Sequence, residues 1–181
     1  MEFQKERMFS NKMLVRLLIP LAIEQALSVL VGMADGVMVS SVGEAAISGV
    51  SLVDMINNVV LTLFAGLATG GAVITSQFLG ARDKENARLS AAQVVTMACL
   101  AGLGFMTLCL AFGENIMRFL FGSIDAEVME KGLVYFRITA MSFPLIAVYN
   151  AGAALFRSQG NSKVSMEVSL LMNVINVAGN A

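Results

Sequence analysis

The chain has 181 residues, 57% of them hydrophobic and 14% charged, with a mean hydropathy of +0.76. Soluble domains carry about 25% charged residues, so water offers no place for this much apolar surface, whereas lipid solvates it. A net charge of −1 without a basic block excludes a nucleic-acid face, and the absence of histidine excludes histidine-based catalysis and metal sites.

The charged N-terminal segment, 1–12, does not read as a cleavable signal peptide, because the apolar stretch after it is long and contains acids. Five apolar stretches follow, at 13–36, 46–79, 89–112, 132–156 and 164–181, which predicts an all-α polytopic membrane bundle. In the first, Glu24 and Asp35 are eleven residues apart and return to within about 20° of each other on a helix. Ser28 shares their stripe, and Pro20 removes a backbone hydrogen bond just before it. Intramembrane acids cost about 2.5–3.5 kcal/mol to insert, so this polar face suits the lining of an aqueous cavity.

The second stretch would be about 50 Å long as one helix, so either its start is an interfacial loop or it projects beyond the bilayer. Asp54, Asn58 and Thr62 step by four on one side, with Asp54 toward the outer end at a solvated position. The glycines within 66–73 are assigned to close helix packing, since no strand precedes them and no lysine follows as a phosphate loop requires.

The third stretch, LSAAQVVTMACLAGLGFMTLCLAF, carries no charge and would rise about 36 Å as a packing or lipid-facing helix. Cys99 and Cys109 both lie in it, about 15 Å apart along the axis, too far to pair with each other. Residues 113–131 read as a polar connector. The fourth stretch holds Pro144, with Thr139 and Ser142 able to satisfy freed backbone groups, and a kink is expected near its middle. Tyr149 and Asn150 follow, and Arg137 is placed to snorkel outward. The fifth stretch carries Asn173, Asn176 and Asn180. It runs to Ala181 without a flanking charge or aromatic anchor, and is expected to be a helix cut short.

Basic residues set the orientation. Lys5, Arg7, Lys12, Arg16, Arg82, Lys84, Arg88, Arg157 and Lys163 fall on one side, against Arg118 and Lys131 on the other. The positive-inside rule puts the N-terminus in the cytoplasm, with the plasma membrane as the expected location. No spacing of acids, cysteines or glycines resembles a catalytic site, so an enzyme is not expected and no cofactor is implied.

Four segments carry a resemblance: LLIPLAIEQ, VGMADGVMVSSVGEAAISGVSLVD, AGLATGGAVITSQFLGARDKENA and LFRSQGNSKVSMEVSLLMNVINVAGN. In their order and spacing the chain resembles the MATE (multidrug and toxic compound extrusion) transporters along essentially its whole length. The resemblance implies two six-helix lobes around a central cavity, of which this chain would supply the first five helices, with the C-terminal lobe as a missing partner. It implies export of small cationic or lipophilic compounds in exchange for Na⁺ or H⁺. It also implies coupling at Asp35, the only expected place for a bound Na⁺, together with Asn176. Asn180 stands where a number of members have aspartate, which weakens a two-carboxylate site and throws more weight on Asp35 or on the absent lobe. Glu24, Ser28, Asp54, Asn58, Tyr149 and Asn150 are the cavity-lining candidates. Two alternatives stand beside this reading: a polysaccharide or lipid-linked flippase of the same superfamily, and an inert truncated membrane module. The mostly acidic intramembrane charges favour cation export over a phosphate-bearing substrate.

Overall fold

Five helices follow one another through short connections: α1 (Asn11–Ser40), α2 (Glu44–Gly80), α3 (Lys84–Phe121), α4 (Ala126–Ser158) and α5 (Ser162–Asn180). The computed structural model describes residues 11–40 and 43–180, and the side chains of Asp35 and Asn180 lie outside what is described. Most of the N-terminal segment 1–12 also lies outside the described residues. The helices α1 to α4 are long and apolar enough to cross a membrane. The bundle is all-helical among the described residues, as the periodicity predicts.

Because each connection is short, neighbouring helices alternate in direction, and α1, α3 and α5 run parallel. One end of the bundle therefore collects Arg82, Lys84, Arg88, Arg157 and Lys163; we call it the basic end. The opposite, acidic end carries Glu44, Asp125, Glu127 and Glu130 beside Lys131.

The helices α2, α3 and α4 form a closely packed triplet. Residues buried on α2 fall at 53, 56, 60, 64, 68 and 72, a spacing of three and four that keeps one stripe on the neighbours. At its centre the Phe64 ring meets Phe105 and Phe143 edge-on, with centroids 5.6 and 6.0 Å away. Glycines bring the backbones together at two places. A Cβ on Gly49 would sit 2.8 Å from the Gly132 nitrogen, and one on Gly102 would sit 2.6 Å from the Pro144 Cα. In lipid, where burial against tails gains little over burial against another helix, such close approach is what holds helices together. Within the 66–73 run only Gly71 meets a neighbour, the Val94 side chain, while Gly66 and Gly70 face open space. The close backbone contacts come instead from Gly49, earlier on α2, and from Gly102 and Gly132 on α3 and α4, because the α2 stripe that faces the triplet passes through Ala68 and Ala72.

Element bounds differ from expectation at the acidic end. Rather than a connector over 113–131, α3 continues to Phe121 and α4 starts at Ala126. A kink at Phe112 (φ −121°, ψ 15°) separates the uncharged run from this extension, where Arg118 pairs with Glu114 at 2.9 Å across one turn. Asp125 caps α4 by accepting a hydrogen bond from the Glu127 N–H at 2.9 Å. The helix α4 runs on past Pro144 as one element. The Thr139 and Ser142 hydroxyls bond to the carbonyls of Phe136 (3.1 Å) and Thr139 (2.6 Å), and the proline is held against Gly102. The helix α2 is a single element of 37 residues from Glu44 and so overruns a hydrocarbon core of about 30 Å. Both cysteines are free.

The α2–α3 turn carries its own titratable lock. Asp83 accepts hydrogen bonds from the Asn86 backbone N–H (3.1 Å) and side-chain amide (2.7 Å), capping α3. These bonds favour the carboxylate and hold its pKa below the ordinary aspartate value. A depressed folded-state pKa means the cap's contribution is complete above the unfolded value and disappears as pH falls through the folded one. We expect the Asn86 amide proton resonance to titrate with a midpoint below that of an ordinary aspartate. Asp83→Asn should abolish that titration.

Candidate functional site

Outside the triplet, α1 lies mainly against α5 and touches α2 more lightly. Much of its surface is exposed and apolar, Leu30, Met33 and Val37 among it. Among its described residues the one well-buried charge is Glu24, 7% exposed. A carboxylate so enclosed needs partners, because stranding it in a low-dielectric interior costs several kcal/mol. Here it has three. The Tyr149 hydroxyl of α4 donates to Oε1 at 3.3 Å. The Ser165 hydroxyl of α5 donates to Oε2 at 3.1 Å. The Arg157 guanidinium, from the last turn of α4, lies 3.8 Å from Oε1. One side chain thus ties three helices together near the basic end.

The node is looser than its charge would suggest. Hydroxyl-to-carboxylate bonds are about 2.5–2.7 Å when well made, and guanidinium-to-carboxylate bonds about 2.7–2.9 Å. Ser165 has one proton and two acceptors in reach, Glu24 Oε2 at 3.1 Å and the Ser162 carbonyl at 3.0 Å, so it serves one at a time. One turn nearer the basic end, the buried Ser162 hydroxyl finds no protein partner. On the open side of Arg157 a recess of about 650 Å³ is lined by Leu17 of α1, Ser76, Leu79 and Gly80 of α2, and Ser158 and Gly160 at the end of α4.

The register from this node reaches the other candidates. Since α1 and α5 run parallel and Glu24 meets Ser165, Asp35 and Asn176, each eleven residues further on, stand at the same height on neighbouring helices. Asn180 follows one turn beyond Asn176 on the same stripe. The Asp35 and Asn180 side chains lie outside the described residues; Asn176 is exposed and has a bonded partner. Between the two levels, the Asn173 amide nitrogen is buried without a protein partner.

The remaining candidates are scattered. Asp54 is half-buried and accepts a hydrogen bond from the Tyr135 hydroxyl at 3.0 Å, joining α2 to α4 toward the acidic end. Asn58 is exposed and bonds back to the Asp54 carbonyl at 2.8 Å; Ser28 is exposed on α1. Asn150 is half-buried and bonds to the Ile146 carbonyl at 3.1 Å. Among the described cavity-lining candidates, Glu24 and Tyr149 are brought into contact from different helices. Sequence reasoning missed Arg157, Ser165 and Tyr135 as partners. The signal for Ser165 was present: Ser162, Ser165, Ser169, Asn173, Asn176 and Asn180 repeat at three and four, a polar stripe along all of α5. Among the described residues no group of three or more acidic, cysteine or histidine side chains is arranged to hold a metal.

Comparison with known proteins gives these helices a context. Residues 20–181 match the MatE family. The chain is 29% identical over 165 residues to the uncharacterized transporter YisQ of Bacillus subtilis, covering 89% of this chain and 35% of that protein. It is 25% identical over 170 residues to the probable multidrug resistance protein NorM of Thermotoga maritima, covering 92% and 36%. Among solved structures, a MATE protein in complex with MaD3S superposes with a TM-score of 0.87 at 26% identity, covering 93% of this chain and 38% of the other. A MOP superfamily transporter from Pyrococcus furiosus superposes with a TM-score of 0.86, also at 26% identity, covering 93% and 37%. The chain thus spans little more than a third of the length of the relatives it matches. With a family match over nearly all its residues and a helix arrangement shared with solved members, this multi-pass membrane chain belongs to the MatE family of transporters.

Proposed function

We propose that this chain is the N-terminal part of an exporter that moves small cationic or lipophilic compounds across the plasma membrane by antiport against Na⁺ or H⁺, with Asp35 as the coupling carboxylate. The observation that supports the reading is the polar stripe along each of α1 and α5, in which Asp35 stands level with Asn176 toward the ends of the two helices remote from the basic end. An acid kept at that depth is costly, and a bound Na⁺ or proton removes the cost. A cationic substrate competes for the same charge, and mutually exclusive occupancy of one carboxylate by driving ion and cargo is the physical basis of exchange. In this reading the N-terminus and the basic end are cytoplasmic. A second lobe closes the cavity, so the segment alone does not transport.

The test is Asp35→Asn in a transporter that carries this segment together with a second lobe, reconstituted in liposomes. Ion-driven uptake of a fluorescent cation should fall to background while membrane insertion is unchanged. Transport at the parental rate would refute coupling through Asp35.

A further inference from the structure

A helix surface turned to acyl chains has no use for an unpaired arginine, yet α4 presents one. Arg137 is exposed and has no hydrogen bond or ion pair with any described residue. Around it Val134, Ile138, Met141 and Leu145 are all open, from 56% exposed at Val134 to 76% at Leu145, as on a helix that faces lipid. A charge in such surroundings is costly unless it is paired. We propose that this flank of α4 binds one zwitterionic aminophospholipid, of the phosphatidylethanolamine type, in the leaflet at the acidic end: Arg137 and Lys131 take its phosphate, Glu130 takes its ammonium, and the apolar residues carry its chains. The proposal requires only that α4 spans the membrane, and it is independent of the Asp35 reading.

Helix direction sets the height. Side chains on a helix lean toward its N-terminus, and α4 begins at the acidic end. Arg137 sits six residues, about 9 Å, deeper than Lys131, so its stem lies among apolar neighbours while the guanidinium reaches up toward the head groups. Spacing sets the pattern. Glu130, exposed and likewise without a partner among the described residues, lies seven residues before Arg137 and within about 20° of it around the helix. Between α4 and α2 a recess of about 290 Å³ is lined by Lys131, Val134, Tyr135 and Ile138 on one side and by Ala46 and Val50 on the other. Arg137 stands outside this recess, so a lipid lying over Val134 and Ile138 has Arg137 on one flank and Lys131 with the recess on the other. Charge selects the head group. Glu44, Asp125, Glu127 and Glu130 stand at this end beside Lys131 and repel a net anion. A zwitterion adds no net charge, and its phosphate still forms charge-assisted hydrogen bonds with guanidinium and ammonium groups. A primary ammonium donates to Glu130, whereas a choline head has no N–H to give. A protein occupant would need an acid for Arg137 and a base for Glu130; an aminophospholipid supplies both charges in one molecule.

The chain contains no tryptophan, so Val134→Trp places a single fluorophore on this face. The full chain with that change is reconstituted in mixed bilayers in which phosphatidylethanolamine, phosphatidylcholine or phosphatidylglycerol in turn carries brominated chains, and quenching gives the relative affinity of each lipid for the site. Phosphatidylethanolamine should be preferred over phosphatidylcholine about tenfold, the size expected of hydrogen bonds to charged groups. Adding Arg137→Gln should bring that ratio to about one, since the phosphate loses its deeper cation. Adding Glu130→Gln should instead weaken phosphatidylethanolamine and strengthen phosphatidylglycerol, a change of sign that damage to the fold does not produce. Leu100→Trp, 58% exposed on α3, is the control for bulk lipid and should show no preference. Equal quenching by all three lipids at position 134, the same preference at position 100, or an unchanged preference in either charge variant would overturn the proposal. So would absence of quenching by any lipid at 134, which would mean that protein covers this flank. Because no transport is measured, failure here leaves the Asp35 test untouched.

Discussion

Gly102→Ala is expected to lower the thermal midpoint of the detergent-solubilised chain by about 5 °C, whereas Gly104→Ala leaves it unchanged or slightly raised. The two glycines share a helix and a membrane depth and differ in what they face. A methyl group at 102 would lie 2.6 Å from Pro144 Cα, and 3.0 Å from both the Pro144 nitrogen and the Phe143 carbonyl oxygen, while one at 104 meets nothing within 4 Å. The obstructing atoms at 102 are backbone, so no side-chain rotation relieves the clash and the whole of α4 has to move. Overpacking of that kind costs about 1–3 kcal/mol, and at roughly 2–4 °C per kcal/mol a shift of several degrees follows. Alanine also gains up to about 1 kcal/mol over glycine in helix propensity, which is the sole expected effect at 104 and is outweighed at 102. Thermal scans of both variants by circular dichroism decide the matter; equal midpoints would mean that α3 and α4 do not approach as closely as described.

That contact also marks how far the sequence could be read. The spans were legible because lipid demands long apolar runs, and the charge bias between loops sorted the two ends of the bundle. Packing partners were not, since a glycine looks the same in sequence whether it faces a proline, as Gly102 does, or open space, as Gly66 and Gly70 do. The surroundings of the proline in α4 were hidden for a related reason: the close approach of Gly102 to it comes from another helix. At the acidic end, charge was taken for loop, but an exposed helix beyond the hydrocarbon tolerates charge well and gains from the Glu114–Arg118 pair.

The candidate site was legible in part. Glu24 and Tyr149 were both singled out, the first for its cost and its place on a polar helical face and the second for polarity inside a span. Their contact spans 125 residues of sequence and could not be read from either helix by itself. Arg157 was read only as a loop charge contributing to orientation, because it ends a helix; its side chain reaches back into the bundle toward Glu24. Asp35, Asn176 and Asn180 were selected by resemblance, and the parallel register of α1 and α5 gives the first two an independent relation: equal distance above the Glu24–Ser165 contact.

The same node leads to the second large effect. Arg157→Gln is expected to destabilise the chain by about 1–2 kcal/mol, and the double change Glu24→Gln with Arg157→Gln by less than half of that. Removing one partner of a buried ion pair costs about 3–5 kcal/mol because the other charge is left uncompensated; the 3.8 Å gap and 30% exposure of the arginine place this case lower. In the double variant no charge remains to be compensated, and a carboxamide oxygen still accepts from Tyr149 or Ser165. The resulting coupling energy is about 1 kcal/mol, of the size measured for residues in direct contact. Because α1 is otherwise held chiefly by α5, loss of the tether should appear as faster hydrogen exchange along α1 rather than as global loosening of the α2–α3–α4 triplet. Denaturation of the two single variants and the double one, paired with exchange by mass spectrometry, measures both quantities. Strictly additive costs with unchanged exchange in α1 would mean that Glu24 and Arg157 act independently, and the tether between α1 and α4 would then reduce to the tyrosine alone.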